Sequence, residues 1–132
     1  MYILECLSEF PSKYWEIAMP IDIKDVNEKL RRIVLTGRLD IPGTEEIAMR
    51  FAEAATSAGR RVVVDLTAVS FLGSFGIRAL ISNAKAAQSK GGRMVLFVGG
   101  NETVTKTLET TGIGVLIPMF ADATKAEQAA LN

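Results

Sequence analysis

Ser74 is the residue whose position in the chain points most directly to a chemical role. It follows Gly73 at the start of a predicted amphipathic helix, just after a strand and a short loop. A serine there can cap the helix by accepting a backbone N–H bond, which is worth about 1 kcal/mol. The same position tolerates a phosphate, because the added negative charge lies at the positive end of the helix dipole. The residues alone leave both roles open, a structural cap and a phosphoacceptor.

Leu72 and Phe75 flank this serine and determine what a phosphate would change. Both side chains are predicted to offer an apolar surface on which a partner docks. A phosphoserine has a charge of about −2, so a docking partner would have to desolvate it, and binding would be switched off. Without phosphorylation the same surface would be a permanent docking site. The alternative for Phe75 is that its ring folds back onto the sheet.

Gly99-Gly100-Asn101 is the second segment whose residue types could do chemistry. It lies between a predicted strand and a predicted helix, where a phosphate-binding loop would lie. It lacks the Lys-Ser/Thr of a P-loop and the third glycine of a dinucleotide-binding fingerprint. A tight strand-to-helix turn explains these glycines, and a small nucleotide-binding protein stays as an alternative function.

The remaining polar residues do not assemble a catalytic or metal site. The chain has no histidine, which excludes histidine acid–base chemistry and most zinc sites. The carboxylates of Asp40, Glu45, Glu46 and Asp65 have no spacing that forces them into one pocket. We therefore predict no catalytic residue, no metal and no cofactor, and a protein that is not an enzyme.

Charge and composition bear on partners and location. Lys plus Arg and Asp plus Glu each number 15, so the net charge is zero and no broad basic surface for nucleic acid is expected. No apolar run approaches the roughly 20 residues that span a bilayer, and no basic amphipathic helix indicates membrane insertion. Cys6 is the single cysteine, so no internal disulfide can form and the cytoplasm is the expected compartment.

The elements that must position Ser74 follow from hydrophobic periodicity and from turn residues. Strands are predicted where apolar residues alternate with polar ones or form short buried runs, at 21–23, 32–37, 62–66, 94–98 and 115–117. Helices are predicted where apolar residues recur three and four positions apart. The first helix runs from Pro42 and stops at Gly59, and the second, after a loop at 67–73, runs from Ser74 to Lys90. The third covers 102–111, with Asn101 as its cap and Gly112 as its stop. The last is capped by Asp122 or Thr124 and runs to Leu131.

The order of these elements predicts an α/β fold. A leading hairpin followed by strand–helix units gives β-β-α-β-α-β-α-β-α, a mixed β-sheet of about five strands packed by about four helices. We assign residues 19–132 to this single domain. Residues 1–18 are an N-terminal extension, either an added strand or arm or a poorly ordered tail.

Three segments together resemble one known family. The segment 65–77, Asp-Leu-Thr-Ala-Val-Ser-Phe-Leu-Gly-Ser-Phe-Gly-Ile, resembles the strand–loop–helix signature of STAS domains, which occur in sulphate transporters and anti-sigma factor antagonists. Thr36-Gly37-Arg38-Leu39-Asp40 is similar to the family's Gly-x-Leu-Asp after its second strand. The run from Val104 through Leu108 to Gly112-Ile113 is similar to its third helix and the turn that follows. The likeness extends from residue 19 to the C-terminus.

This resemblance implies a regulatory, protein-binding role. In anti-sigma factor antagonists the serine at this helix start is phosphorylated by an anti-sigma factor that is itself a kinase, and a PP2C-type phosphatase resets the cycle. The position falls on Ser74. The partner-binding residues are expected to be Asp40, Thr44, Leu72, Gly73, Phe75 and Arg78.

The chain departs from the family pattern close to that serine. The family has an acidic residue where this chain has Gly73, and a small hydroxyl residue where it has Phe75. The stretch from Asp40 to Thr44 is one residue longer than the common form, which changes a neighbouring contact surface. The alternative within the family is a STAS scaffold without phosphorylation, for instance in a lipid-transport or signalling complex.

Overall fold

The computed structural model describes residues 20–57 and 59–132. The predicted N-terminal extension and Cys6 lie outside the described residues. The elements, in chain order, are β1 (Ile21–Asp25), β2 (Leu30–Leu39), α1 (Ile41–Ala55), β3 (Arg61–Leu72), α2 (Ser74–Ser89), β4 (Arg93–Phe97), α3 (Glu102–Thr111), a 3-10 turn (Ile113–Val115), β5 (Met119–Phe120) and α4 (Ala123–Leu131). This order confirms the predicted α/β fold.

The five strands form one mixed sheet in the order β1-β2-β3-β4-β5. β1 runs antiparallel to β2, and the remaining neighbours are parallel. Asn27 closes the β1–β2 hairpin, since its Oδ1 accepts bonds of 2.9 Å from the N–H groups of Lys29 and Leu30. Because parallel strands end at the same edge of the sheet, the starts of α1 and α2 lie together there.

Helices cover both faces of the sheet. On one face α1, α2 and α3 pack on the side chains that point towards them from the strands, and this cluster contains the large buried residues Phe51, Leu66, Leu80 and Leu108. On the other face Ala126 and Ala130 of α4 pack on Leu30, Val63 and Val95. The middle of β3 and of β4 is therefore buried on both sides, which explains the apolar runs at 62–64 and 94–97.

The helix ends follow local capping chemistry. Asn101 Oδ1 accepts a 3.2 Å bond from the Val104 N–H, and Gly112, with φ at +71°, ends α3 in the left-handed conformation. Asp122 caps α4 by accepting a 3.0 Å bond from the Lys125 N–H. The predicted bounds of α3 are confirmed, and of the two caps proposed for α4 the structure selects Asp122.

The predicted strand at 115–117 is wrong. Ile113–Val115 forms a 3-10 turn after Gly112, and the last strand is Met119–Phe120. Val115 and Leu116 are 91% and 61% exposed, whereas Ile117 is buried. Three consecutive apolar residues suit a buried strand, but pairing with β4 begins only at Met119, opposite Leu96.

Two other boundaries differ from the sequence prediction. The predicted loop at 67–73 is wrong for most of its length, because β3 continues to Leu72 alongside β2. α1 ends at Ala55, with Thr56 as its C-cap, and does not reach Gly59. Among the helices within the described ranges, none has the length and apolar character that crossing a bilayer requires.

Candidate functional site

Ser74 is the first residue of α2 and is exposed. The residue before it, Gly73, occupies the N-cap, and no side chain of the described residues caps this helix. The interpretation of Ser74 as the capping residue is therefore wrong. The first N–H groups of an α-helix have no partner within the helix, so this uncapped end concentrates positive partial charge beside the serine hydroxyl.

The start of α2 is fixed against the end of β2. The Gly73 N–H donates a 3.0 Å hydrogen bond to the carbonyl oxygen of Leu39. A Cβ atom on Gly76 would lie 2.8 Å from Cδ1 of Leu72 and 2.9 Å from Cβ of Leu39, distances too short for real side chains. Only glycine lets the first turn approach this closely, and the approach places Ser74 at a defined position over the sheet edge.

Irregularities in the β2–β3 pairing decide which side chains reach the surface. The register shifts between Val34 and Thr36, and again between Gly37 and Arg38, each time with one extra residue in β3. Such bulges redirect the side chains that follow. Leu72 is consequently 5% exposed and belongs to the core, so the expectation that it forms an exposed apolar surface is wrong.

Two exposed phenylalanines flank Ser74, each with an arginine over its ring. Phe75 is 41% exposed, so its ring does not fold back onto the sheet. The guanidinium carbon of Arg78 lies 5.9 Å from the centre of that ring. Phe71 is 39% exposed, and the guanidinium of Arg38 lies 4.5 Å from its ring centre. Such pairs hold the rings in place while one side stays open to solvent.

Asp40 and Thr44 serve the neighbouring helix α1. Asp40 Oδ1 accepts a 2.9 Å bond from the Gly43 N–H, and Oδ2 accepts a 3.2 Å bond from Arg38 Nε. The hydrogen bond from Gly43 has the larger effect and the hydrogen bond from Arg38 the next, and together they lower the pKa of Asp40 below its ordinary value. Thr44 is 6% exposed, so its side chain lies beneath the surface, and its role in partner binding stays a prediction. Ile41, which is 51% exposed, presents an apolar side chain there instead.

The side chains that the structure exposes around the start of α2 form one surface. We call it the Ser74 surface, and it consists of Arg38, Ile41, Phe71, Ser74, Phe75 and Arg78. Of the predicted partner-binding residues, Phe75 and Arg78 lie on it, Gly73 and Asp40 shape its backbone, and Leu72 and Thr44 lie beneath. Sequence reasoning missed Arg38, Ile41 and Phe71. The only sequence signal for Phe71 was its place in the apolar pair before Gly73.

The family model for the STAS domain matches residues 23–126 of the chain. The chain belongs to the STAS domain family. A comparison with curated protein sequences finds no match. The family expectation drawn from residues 36–40, 65–77 and 104–113 is confirmed.

Solved structures share this STAS fold at low sequence identity. An anti-sigma factor antagonist from Mycobacterium paratuberculosis superposes with a TM-score of 0.75 at 18% identity, over 85% of this chain and 93% of that one. The phosphorylated form of the Bacillus cell fate determinant SpoIIAA superposes with a TM-score of 0.61 at 18% identity, over 83% of this chain and 98% of that one. A sulfate transporter family protein from Wolinella succinogenes superposes with a TM-score of 0.62 at 16% identity, over 82% of this chain and 89% of that one.

The glycine turn after β4 has a structural role in this STAS domain. The side-chain amide of Asn101 donates bonds of 2.9 Å and 2.7 Å to the carbonyl oxygens of Leu66 and Val69, which ties the turn to β3. Two acidic residues, Glu102 and Glu109, line the groove beside Gly99 and Gly100. Lys106 is the one basic residue among the described residues of this groove. Two carboxylates repel a phosphate, so this turn is not suited to hold a nucleotide.

Asp65 of the family signature is likewise structural. Its Oδ1 accepts bonds of 2.9 Å and 2.6 Å from the N–H and hydroxyl of Thr67, and Arg32 pairs with Oδ2 at 3.0 Å. These bonds hold the bulged part of β3 that leads to Ser74. No group of three or more His, Cys, Asp or Glu side chains suited to a metal ion occurs within residues 20–57 and 59–132.

Proposed function

We propose that this STAS domain is an anti-sigma factor antagonist whose binding to its partner is switched by phosphorylation of Ser74. One observation carries the proposal: an exposed serine hydroxyl at the uncapped start of α2, between two exposed phenylalanines. It is supported by the fold shared with a mycobacterial anti-sigma factor antagonist and with a phosphorylated SpoIIAA.

In the unmodified state the Ser74 surface binds the partner. Phe71 and Phe75 supply aromatic area that a partner can bury, and aromatic and arginine side chains are enriched among residues that dominate binding energy. The backbone beneath is rigid, because Gly73 and Gly76 fix the start of α2 against Leu39. A preorganised surface loses little conformational entropy on binding.

Phosphorylation changes this surface without disturbing the fold. A phosphate on Ser74 would accept hydrogen bonds from free N–H groups in the first turn of α2. Arg78 is four residues further along the same helix, a spacing that brings side chains together, so its guanidinium can pair with the phosphate. Contact with the dianion draws Arg78 away from the Phe75 ring. A partner would then face a charge of about −2 where it had met an aromatic surface.

The reaction at Ser74 needs catalytic groups from other proteins. The partner kinase, an anti-sigma factor, transfers the γ-phosphoryl group of ATP to the serine Oγ, the serine proton passes to a base of the kinase, and ADP leaves. A PP2C-type phosphatase hydrolyses the phosphoserine and restores the binding state. This chain contributes the acceptor and the docking surface, and acts in the cytoplasm.

Phosphoryl transfer can be tested by intact mass. The wild-type chain, incubated with an anti-sigma factor kinase and ATP, should gain the mass of one phosphoryl group, and Ser74→Ala should gain none. Ser70→Ala is the matched control, because Ser70 is an exposed serine on the neighbouring part of β3. A mass gain that persists in Ser74→Ala, or none in the wild type, would contradict the proposal.

The effect on binding is measured by titration calorimetry with the same kinase. The phosphorylated chain should bind at least about a hundredfold more weakly than the unmodified chain, because the buried dianion adds a desolvation cost of several kcal/mol. Equal affinity of the two forms would show that phosphorylation is not a switch.

A STAS scaffold without phosphorylation is the second candidate. The fold shared with a sulfate transporter family protein favours it, as does Gly73 in place of the family's acidic residue. In that case Phe75→Ala would weaken partner binding, but no kinase would modify Ser74. In a phosphorylation-switched antagonist, Phe75→Ala and phosphorylation would both weaken it.

A further inference from the structure

β1 lies at one edge of the sheet, and its outer side has no partner strand among the residues that the structure describes. We propose that this edge binds a second copy of the chain. The two β1 strands would pair antiparallel about a two-fold axis at Ile23, which joins both sheets into one continuous sheet. No residue of the Ser74 surface belongs to β1, so the proposal does not depend on phosphorylation.

The pairing of β1 with β2 fixes which backbone groups of β1 face outwards. The carbonyl oxygen of Pro20 accepts a 2.9 Å hydrogen bond from the N–H of Thr36 on β2. Alternate residues of a strand direct their N–H and C=O groups to the same side, so Asp22 and Lys24 also bond towards β2. An edge strand leaves the groups on its other side unpaired. In β1 these outward groups belong to Ile21, Ile23 and Asp25.

Antiparallel pairing centred on Ile23 uses all of these outward groups. Ile23 would lie opposite the partner's Ile23, Ile21 opposite the partner's Asp25, and Asp25 opposite the partner's Ile21. The two residues of each such pair exchange both N–H to C=O hydrogen bonds. Because each copy uses its β1 edge once, the arrangement is the same on both sides and closes at a dimer.

The charged side chains of β1 are complementary to a second copy in this register. Ile21 and Ile23 pack on the core beneath α1, so Asp22 and Lys24 lie on the opposite face of the sheet, where their side chains are 44% and 60% exposed. Asp22 would lie opposite the partner's Lys24, and Lys24 opposite the partner's Asp22. These are non-hydrogen-bonded positions, at which facing side chains approach most closely. A lysine on an edge strand normally discourages pairing, but here an aspartate faces it.

The other face of β1 offers an apolar contact at the two-fold axis. Ile23 is only half-buried, although it packs on the core. It lines a groove of about 280 Å³ between β1 and α1, together with Arg50, Glu53 and Ala54 of that helix. α1 therefore does not cover Ile23 completely. The partner's Ile23, on the same face of the joined sheet, would remove more of this side chain from water.

The outer pairs of the ladder do not bring an unpaired charge into the interface. Asp25 Oδ1 lies 2.7 Å from Nε of Arg31 and 3.3 Å from a terminal nitrogen of Arg60. The carboxylate therefore keeps its own cations while the Asp25 backbone pairs with the partner's Ile21. A two-fold axis at Asp25 would instead place two carboxylates opposite each other, which destabilises a strand pair. The charges thus favour Ile23 as the centre.

Sedimentation equilibrium of the full chain tests the association. The five residues of β1 form a short ladder, and interfaces of small area are weak, so the dimer should form at high protein concentration. The apparent mass should rise from that of one chain towards that of two as the concentration approaches about 1 mM. A mass that remains that of one chain at this concentration would overturn the proposal.

Exchanging the two charges tests the register. Asp22→Lys places like charges opposite each other on both sides of the axis and should raise the dimer Kd by about tenfold or more. Asp22→Lys combined with Lys24→Asp makes the facing charges opposite again and should return the Kd to within about threefold of wild type. Glu109→Lys is the matched control, because it makes the same charge change at an exposed position of α3, which packs on β3. An unchanged Kd in Asp22→Lys, or a combined variant that associates no better than Asp22→Lys, would contradict the register.

Amide hydrogen exchange measured by NMR locates the interface on the backbone. The N–H groups of Asp22 and Lys24 bond to β2 and should be protected at every concentration. The exchange rates of the Ile21, Ile23 and Asp25 N–H groups should fall in proportion to the fraction of monomer. Rapid exchange of these three in the dimer would place the interface elsewhere. Their protection in the monomer would show that another segment of the chain covers this edge, and either result would overturn the proposal.

Discussion

α1 and α2 begin next to each other at the same edge of the sheet, but their first turns are built in opposite ways. Asp40 closes the start of α1 with a hydrogen bond to the Gly43 N–H and an ion pair with Arg38. The start of α2 has Gly73 at its cap position, no capping side chain among the described residues, and the exposed Ser74 as its first residue. In α1 a side chain of the protein itself accepts a hydrogen bond from the first turn, whereas the first backbone N–H groups of α2 have no side-chain acceptor.

The difference bears on the phosphorylation that we propose for Ser74. A phosphate added at the start of α1 would compete with the Asp40 carboxylate for the same N–H groups. At the start of α2 nothing has to be displaced, so the charge can be added and removed while the fold stays the same. The close contact at Gly76 keeps this open helix start in place without a cap.

The largest change is expected when that close contact is broken. Gly76→Ala would push a methyl group against Leu39 and Leu72, and overpacking of this kind should lower Tm by about 5–12 °C. Differential scanning calorimetry measures it. Gly100→Ala is the control, because a Cβ there meets nothing within 4 Å. Equal Tm values for the two variants would show that α2 does not depend on the contact.

Removing the cap of α1 should have a smaller effect. Asp40→Ala leaves the Gly43 N–H without its acceptor, and loss of an N-cap should lower Tm by about 3–5 °C. Folding lowers the pKa of Asp40, so its stabilisation is complete above the unfolded-state pKa of about 3.9. It is lost as pH falls through the lower folded-state pKa.

The pH dependence provides the control for this variant. The Tm difference between wild type and Asp40→Ala, large at pH 7, should narrow as the pH falls below about 3.9. A difference that stays constant down to strongly acidic pH would show that the charged carboxylate is not the source of the stability.

Supplying the missing cap should make α2 resemble α1. Gly73 has φ of −92° and ψ of 179°, which any residue adopts, and Gly73→Asp would place a carboxylate at the cap position. A new cap and a stiffer unfolded chain should raise Tm by about 2–3 °C, although its Cβ would lie 3.1 Å from the Phe71 ring. Thermal unfolding of Gly73→Asp measures the change in Tm. A Tm lower than that of the wild type would mean that the Phe71 ring cannot move aside.

Ser74→Ala should have the smallest effect on stability. In the described structure the Ser74 hydroxyl makes no hydrogen bond to the helix start, so its removal should change Tm by less than about 2 °C. A loss as large as that of Asp40→Ala would show that the hydroxyl is a cap after all, and the two helix starts would then be equivalent.

The sequence predicted the parts of this fold that depend on local periodicity and local capping. The bounds of α3 follow from Asn101 and Gly112, and the start of α2 follows from helical spacing. The burial of β3 on both faces follows from the apolar run at 62–64. The position of Ser74 at a helix start was predictable for the same reason.

What the sequence could not predict depends on pairing between distant strands. The extra residues in β3 become bulges only opposite β2, and they bury Leu72 while exposing Phe71. Residues 115–117 have strand-forming side chains, but the ladder to β4 starts later, at Met119. The guanidinium of Arg38 over Phe71 joins residues from two strands, a contact that neither segment reveals alone.

The brevity of β5 has a consequence for self-association. An exposed strand edge invites a second chain to continue the sheet, and short edge strands and prolines are among the features that prevent it. β5 has two residues and follows Pro118, which has no N–H to donate. At this edge the sheet therefore offers another molecule a backbone ladder of only two residues, too short to continue the sheet.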